Sequence, residues 1–139
     1  MKRKMFLVFS HKLTNEQIED AQNNWHIDNF VYMPNDLQKV WSNINPKWDS
    51  KELLSYVIFP IFRWIKKEAE EGIDVVLIQG DVGTSCILAQ LVHRSNLTPV
   101  YATTEREVVE VTAEDGSVIK RSIFKHVQFR KYTILGKEG

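Results

Sequence analysis

Short apolar runs alternate along the chain with segments in which apolar residues recur every three or four positions. The runs at 4–9, 28–33, 74–78 and 98–102 have the composition of strands. Helical spacing is found at 13–24, 37–44, 50–71 and 85–94, between or after those runs. Strands that alternate with helices predict an α/β fold with a mainly parallel sheet built from crossover units.

Local signals set some of the predicted boundaries. Thr14 and Gln17 have the spacing of a capping box, which predicts that a helix begins there. Pro60 lies inside the long segment 50–71 and predicts a kink, and Gly72 predicts its end.

The pattern changes after residue 105. Two strand-like runs, 107–112 and 117–123, flank the turn signal Ala113-Glu114-Asp115-Gly116, and 126–134 can add a final strand. We therefore predict one domain over 1–139, because 139 residues leave no room for two ordinary domains. Its α/β core spans about 4–104, and an antiparallel β extension spans about 105–135.

Charge and cysteine content exclude several classes of protein. Lys and Arg number 18, as do Asp and Glu, so the chain lacks the basic excess of a duplex-binding protein. No apolar run approaches the ~20 residues of a membrane span, and the N-terminal run is too short for a signal peptide, so a cytoplasmic protein is expected. Cys86 is the single cysteine, which excludes an internal disulfide, and its apolar neighbours predict a buried thiol. Dispersed histidines without a carboxylate cluster predict neither a metal nor another cofactor.

The ends of the parallel strands are where α/β proteins bind ligands. Ser10 and His11 follow the first strand, and Gln79, Gly80 and Asp81 follow the third. We expect these two turns to face each other across a crevice. Thr103 and Thr104, after the fourth strand, should lie nearby.

The turn after the third strand has two interpretations. Gly80 and Gly83 would let the backbone approach an anion, with Thr84 and the free N–H groups of the next helix as donors. Alternatively it is a tight turn in which Asp81 or Thr84 caps that helix. The turn lacks both the G-x-x-x-x-G-K-[ST] and the G-x-G-x-x-G patterns.

Ser10 and His11 combine a hydroxyl that can bond a phosphate oxygen with an imidazole, the side chain suited to acid–base work near neutral pH. The alternative is an exposed loop that leads into a helix. No Asp or Glu lies close to them in sequence to suggest a hydrolytic triad.

Basic residues dominate the C-terminal part, where aromatic residues are interleaved with them. Such a strip can contact a single-stranded nucleotide ligand, or it can be the solvated face of an edge strand. The basic residues are Lys120, Arg121, Lys125, Arg130, Lys131 and Lys137, and the interleaved rings belong to Phe124, His126 and Phe129.

Four segments together resemble the small CRISPR-associated ring nucleases that accompany type III CRISPR systems. They are SHKLT after strand one, LIQGDVG after strand three, VYATTEREV after strand four and SIFKHVQFRKY near the end. The resemblance implies a Rossmann-like sensor fold that pairs as a homodimer, with a cyclic oligoadenylate on the twofold axis. It also implies that a ribose 2′-hydroxyl attacks the neighbouring phosphorus without a metal, which ends an antiviral signal.

The resemblance also suggests roles for the candidate residues. His11 would be the general acid or base, Ser10 would bind phosphate or ribose, and Asp81 would be either a general base or a cap. Gln79 would read an adenine edge or orient the ribose. The other ligand-binding candidates are Gly80, Gly83, Thr84, Thr103 and Thr104, and a lid would be formed by Arg106, Lys125, His126 and Arg130.

Three functions follow as expectations. The first is a ring nuclease for cyclic tetra-adenylate, with tri-adenylate as a second ring size. The second is a sponge that binds the messenger without cutting it. The third is a sensor that regulates a separate effector, since 139 residues hold the sensing fold and little more.

Overall fold

A computed structural model describes residues 2–136. The strands are β1 (Lys4–Val8), β2 (Asn29–Tyr32), β3 (Val75–Ile78), β4 (Thr98–Thr112) and β5 (Val118–Lys131). The helices are α1 (Asn15–Asn24), α2 (Asn35–Ser42), α3 (Ser50–Leu53), α4 (Phe59–Glu68) and α5 (Val82–Arg94), and a π-helical segment, Leu54–Ile58, joins α3 to α4.

The strands form one sheet in the order β2-β1-β3-β4-β5. β1 pairs in parallel with β2 and β3, β3 pairs in parallel with β4, and β5 is antiparallel to β4. The predicted α/β fold with a C-terminal antiparallel extension is confirmed. Chain order reverses beside β1, so the ends of β1 and β3 border the position where such sheets bind ligands.

Each face of the sheet has its own core. Phe6, Val8, Val76 and Ile78 point to the face covered by α2, α4 and α5. The alternate strand residues, among them Met5, Leu7, Val75 and Leu77, point to the face covered by α1. β3 is therefore buried on both sides, which explains its uninterrupted apolar sequence.

Helix α1 begins as its sequence predicts. Thr14 accepts a hydrogen bond from the Gln17 N–H, and the Gln17 side chain accepts one from the Thr14 N–H, at 3.2 and 2.9 Å. This capping box is confirmed.

The predicted kink at Pro60 takes the form of a π turn. Pro60 stands at the start of α4, and the Phe59 N–H bonds to the Leu54 carbonyl five residues back. The wider turn suits a proline, which has no N–H to donate. The helix ends at Glu68 rather than near 71, because the buried Asp74 carboxylate binds the Glu70 N–H at 2.8 Å and draws that segment out of the helix.

The predicted hairpin is also confirmed, but its strands are longer than expected. The runs 98–102 and 107–112 form one strand, and so do 117–123 and most of 126–134. A bulge between Thr103 and Thr104 shifts the register without ending the pairing. Residues 105–125, beyond the bulge, are here called the hairpin arm, and nearly all of them are exposed.

None of the helices in residues 2–136 has the length and apolar character needed to cross a bilayer.

Candidate functional site

The loop after β1 presents Ser10 and His11 to solvent at the carboxyl edge of the sheet. The Ser10 hydroxyl lies 3.2 Å from that of Ser42 at the end of α2. The Gln38 side chain fixes the loop by donating to the Phe9 carbonyl at 3.0 Å. Two hydroxyls thus meet at this point, and the exposed His11 ring packs edge-on against the Phe9 ring at 5.4 Å between centres.

Gln79 joins the ends of three strands. Its N–H bonds to the Val8 carbonyl at 3.0 Å, and its side-chain oxygen accepts the Ala102 N–H at 3.0 Å. Its own carbonyl accepts the indole N–H of Trp41 at 3.1 Å. Because the Ala102 N–H needs an acceptor, the amide orientation of Gln79 is set, and its NH₂ group is the part left to meet a ligand.

Gly80 is required by packing as well as by any ligand. A Cβ at this position would lie 2.8 Å from atoms of the Trp41 indole ring. Trp41 is buried, and it reaches Gly80 from α2 across the end of β3. Only glycine therefore permits this contact.

Asp81 is the cap of α5, one of the two roles left open by the sequence. Its carboxylate accepts the Thr84 hydroxyl at 2.7 Å and the Thr84 N–H at 3.1 Å. These hydrogen bonds from Thr84 lower the pKa of Asp81. The buried Thr84 hydroxyl is thereby used within the protein, and the carboxylate is a weaker base than a free aspartate.

Thr103 and Thr104 point to opposite faces of the sheet. The Thr103 hydroxyl donates to the Gln128 carbonyl at 2.8 Å and accepts the Gln128 N–H at 3.2 Å, which holds the bulge. Thr104 lines a groove of about 190 Å³ beside α1 together with Phe124 and His126. The two threonines do not share one crevice.

Three of the four residues predicted as a lid lie away from the crevice. The His126 side chain is 4% exposed, and its Nε2 lies 2.8 Å from the Asp20 carboxylate of α1. Arg106 donates to the Ser122 hydroxyl at 3.1 Å, and Lys125 pairs with Glu107 at 3.5 Å, both on the hairpin arm.

Arg130 is the one lid candidate that remains beside the crevice. Its guanidinium lies 5.7 Å from the centre of the Tyr101 ring and donates to the Tyr101 hydroxyl at 3.3 Å. The basic strip is therefore divided between the arm and the core sheet, and Lys137 lies outside the described residues.

Sequence reasoning missed a pocket of about 280 Å³ between α5 and the ends of β3 and β4, here called the α5 pocket. It is lined by Gln79, Gly80, Val82, Ser85, Cys86, Tyr101, Ala102 and Tyr132. The expected burial of Cys86 was wrong, because its side chain is exposed at this pocket. The signal was present in the spacing: α5 buries residues 84, 85, 88, 89 and 92, and 86 falls outside that stripe.

No three His, Cys, Asp or Glu side chains within residues 2–136 are grouped so that they could hold a metal ion. The side chains named at the crevice offer hydroxyl, amide and imidazole groups.

The sequence matches a family described as the uncharacterized protein MJ1673 family over residues 3–130. The chain belongs to that family. Uncharacterized protein MJ1673 of Methanocaldococcus jannaschii is 43% identical over 129 residues, which cover 93% of this chain and 96% of the relative. No solved structure matches the chain. The segment matched by the family includes every predicted site residue from Ser10 to Arg130.

Proposed function

We propose that the protein binds a cyclic oligoadenylate at the carboxyl edge of β1 and β3 and opens the ring without a metal. One observation carries the proposal: an exposed Ser10-His11 pair and the Gln79-Gly80 turn follow adjacent parallel strands, joined by the hydrogen bond from Gln79 to Val8. This is the ligand position of an open α/β sheet. Two of the segments that carry the resemblance to ring nucleases, SHKLT and LIQGDVG, meet there.

The reaction needs little from the protein beyond orientation and proton transfer. The ribose 2′-oxygen attacks phosphorus, the bond to the 5′-oxygen breaks, and the ring becomes a linear chain with a 2′,3′-cyclic phosphate and a 5′-hydroxyl. Holding the two oxygens in line can supply roughly 7–11 kcal/mol of the barrier. The hydroxyls of Ser10 and Ser42 are donors for the phosphate oxygens, where charge develops.

His11 is the proposed proton carrier. It either takes the proton from the 2′-hydroxyl or gives one to the departing 5′-oxygen, a role worth roughly 10²–10⁴ in rate. Asp81 is less suited, because the Thr84 hydrogen bonds lower its pKa and so make it a weaker base. We assign Asp81 to holding the turn.

The proposal includes a homodimer, because a ring on a twofold axis needs two equal half-sites. The hairpin arm supports it. Val111 lies opposite Ile119 on one face of the arm, both side chains are exposed, and Val109 and Ile123 extend the same face. The cross-strand partners of Val109 and Ile123 on this face are the charged Arg121 and Glu107. A two-stranded ribbon is marginally stable alone, so a second copy packed on the Val111–Ile119 pair of this face would stabilise it.

Charge on the arm suits a second copy. Glu105, Glu107 and Glu110 lie on β4, whereas Lys120, Arg121 and Lys125 lie on β5. Two arms packed face to face about a twofold axis that runs along the arm would place the acidic strand of one over the basic strand of the other. We assign the dimer to the prokaryotic cytoplasm, where a nucleotide messenger acts.

The decisive experiment incubates the protein with cyclic tri-, tetra- and hexa-adenylate in excess EDTA and resolves the products by chromatography and mass. Multiple turnovers to linear products with 2′,3′-cyclic phosphate ends are expected with the tetra-adenylate. His11→Ala should lower the rate by about 10²–10⁴ and retain binding. The control is His93→Ala, an exposed histidine in the last turn of α5, which should leave the rate unchanged.

A sponge that sequesters the messenger is the second candidate. The observation in its favour is that the Thr84 hydrogen bonds lower the pKa of Asp81, so the carboxylate of the glycine turn is a weak base for assisting His11. Unchanged ligand that co-elutes with the protein would establish the sponge and overturn the nuclease. Ligand that is neither cut nor bound would overturn both.

A further inference from the structure

The α5 pocket opens beside the proposed crevice and shares Gln79 and Gly80 with it. One wall is the start of α5, and the other is formed by Tyr101 and Tyr132, whose rings meet edge to face at 5.0 Å between centres. The side chains that line it carry no formal positive charge. The nearest cation, the Arg130 guanidinium, bonds to the outer hydroxyl of Tyr101 rather than lining the pocket, and the Asp81 carboxylate offsets the positive end of α5.

Ser85 provides the clearest sign that the pocket takes a ligand. The residue is 4% exposed, and its hydroxyl, which lies near enough to the Tyr132 oxygen to lower the pKa of that phenol, makes no well-aligned hydrogen bond among residues 2–136. A buried polar group without a good hydrogen bond is energetically costly, so such groups are rare in folded proteins. A bound molecule that reaches this hydroxyl would remove that cost.

The other polar contacts in the pocket are already determined. The Tyr132 hydroxyl donates to the Ile78 carbonyl at 2.7 Å, so Tyr132 offers its ring rather than its oxygen. Gln79 offers NH₂ donors, because its oxygen binds the Ala102 N–H. The lining therefore favours a neutral ligand that accepts a hydrogen bond from Gln79 and presents an apolar surface to the two tyrosines.

We infer that the α5 pocket is a purine-base site, occupied by one adenine of the proposed substrate. The base packs against the tyrosine wall, a ring nitrogen accepts from the Gln79 NH₂, and the exocyclic amine donates to the Ser85 hydroxyl. Aromatic side chains stabilise a base that stacks on them, whatever its sequence context. The identity of the natural ligand rests on the proposed function, but the base site can be tested with a nucleoside alone.

Cys86 makes the test direct, because it is the chain's single cysteine and its exposed thiol lines the pocket. The rate of its alkylation by iodoacetamide is measured with and without adenosine, uridine, inorganic phosphate and cyclic tetra-adenylate. At an adenosine concentration near ten times its Kd, alkylation should slow about tenfold. Uridine and phosphate at the same concentration should give little protection.

Ser85→Ala provides the specific variant. It removes an unpaired hydroxyl rather than a bond, so the protein should fold and its unprotected alkylation rate should be unchanged. The Kd for adenosine, measured from its protection of Cys86, should rise about tenfold, because the purine amine loses its hydrogen-bond acceptor. Ser95→Ala, at the opposite end of α5, is the matched control and should keep full protection.

The outcomes separate the base site from the proposed function. If adenosine protects Cys86 but the cyclic oligoadenylate does not bind, the base site stands and the proposed substrate is overturned. If the protein cleaves the cyclic oligoadenylate but no ligand protects Cys86, the nuclease proposal stands and the base site is overturned. Equal protection by uridine, or protection that Ser85→Ala leaves intact, also overturns it.

Discussion

The indole ring of Trp41 lies against Gly80 so closely that a Cβ on the glycine would stand 2.8 Å from three of its atoms. The same indole donates to the Gln79 carbonyl at 3.1 Å. Trp41 therefore fixes the end of β3 to α2, the helix whose last residue, Ser42, meets Ser10. The Gln38 side chain ties the loop after β1 to the same helix, so α2 positions both turns of the crevice.

Gly80→Ala should lower the free energy of unfolding by about 1–3 kcal/mol, since the methyl group overpacks a buried contact. Urea unfolding followed by Trp fluorescence measures it. Gly83→Ala is the matched control: its Cβ would meet nothing closer than an Asp81 oxygen at 4.0 Å, so we expect no loss of stability. Equal losses in the two variants would show that the Trp41 contact is not the cause.

Much of the fold could be predicted because local patterns agree with it. The apolar run of β3 and the Thr14–Gln17 capping box each have one consistent interpretation in the sequence. The end of α4 could not be predicted, because it depends on a hydrogen bond from Glu70 to Asp74, a carboxylate that also binds the start of β1 through the Lys4 N–H at 2.9 Å.

The site was predictable in part for a similar reason. Ser10, His11 and Gln79 follow strand ends, and the strand pattern places them at one edge. Residues of β5 were not predictable, because the bulge at Thr103 and Thr104 alters the alternation of side chains between the faces. His126 consequently meets Asp20 of α1 instead of lying over the crevice.

Removal of the Asp81 cap should destabilise α5 in a pH-dependent way. The pKa of Asp81 is lowered from 3.8 by the Thr84 hydrogen bonds. The carboxylate therefore stabilises the fold above pH 3.8, and that contribution is lost as the pH falls through the lower pKa of the folded state. At pH 7, Asp81→Ala should cost about 0.5–2 kcal/mol by urea unfolding.

The pH dependence distinguishes the cap from simple loss of a side chain. The difference between wild type and Asp81→Ala should shrink on acidification below pH 3.8. Asp81→Asn, which keeps a capping oxygen, should retain most of the stability at pH 7. A difference that stays constant with pH would contradict the charged cap.

Tyr132 should make stability sensitive to alkaline pH. Burial, with smaller contributions from Cys86 and Tyr101, raises its pKa from 10.0 to about 12. The folded state keeps the proton longer than the unfolded state does, so the contribution of Tyr132 is complete below pH 10 and is lost as the pH rises towards 12.

Tyr132→Phe tests this relation. Loss of the hydrogen bond to the Ile78 carbonyl should cost about 0.5–1.5 kcal/mol at pH 7. The difference from wild type should narrow between pH 10 and 12 in chemical unfolding. Tyr56→Phe changes an exposed tyrosine and should match wild type throughout; a constant gap for Tyr132→Phe would contradict the raised pKa.

The face of the hairpin arm that carries Val111 and Ile119 should control the oligomeric state. Val111 and Ile119 are directly opposite each other in the antiparallel pair, 40% and 51% exposed. A lysine at position 119 would be buried in the dimer interface without an acidic partner, which is energetically costly. Ile119→Lys should therefore give monomers under conditions where the wild type is a dimer. Sedimentation velocity over a range of concentrations measures the change.

Val118→Lys is the matched control for that experiment. Val118 is 58% exposed and precedes Ile119, so it points to the other face of the arm. Val118→Lys should leave the dimer intact. Both variants should unfold cooperatively, because the strand pairing of the core sheet, up to the bulge at Thr103, does not involve the arm. A wild-type protein that sediments as a monomer at every concentration would overturn the proposed dimer, whereas dissociation by Val118→Lys alone would assign it to the opposite face.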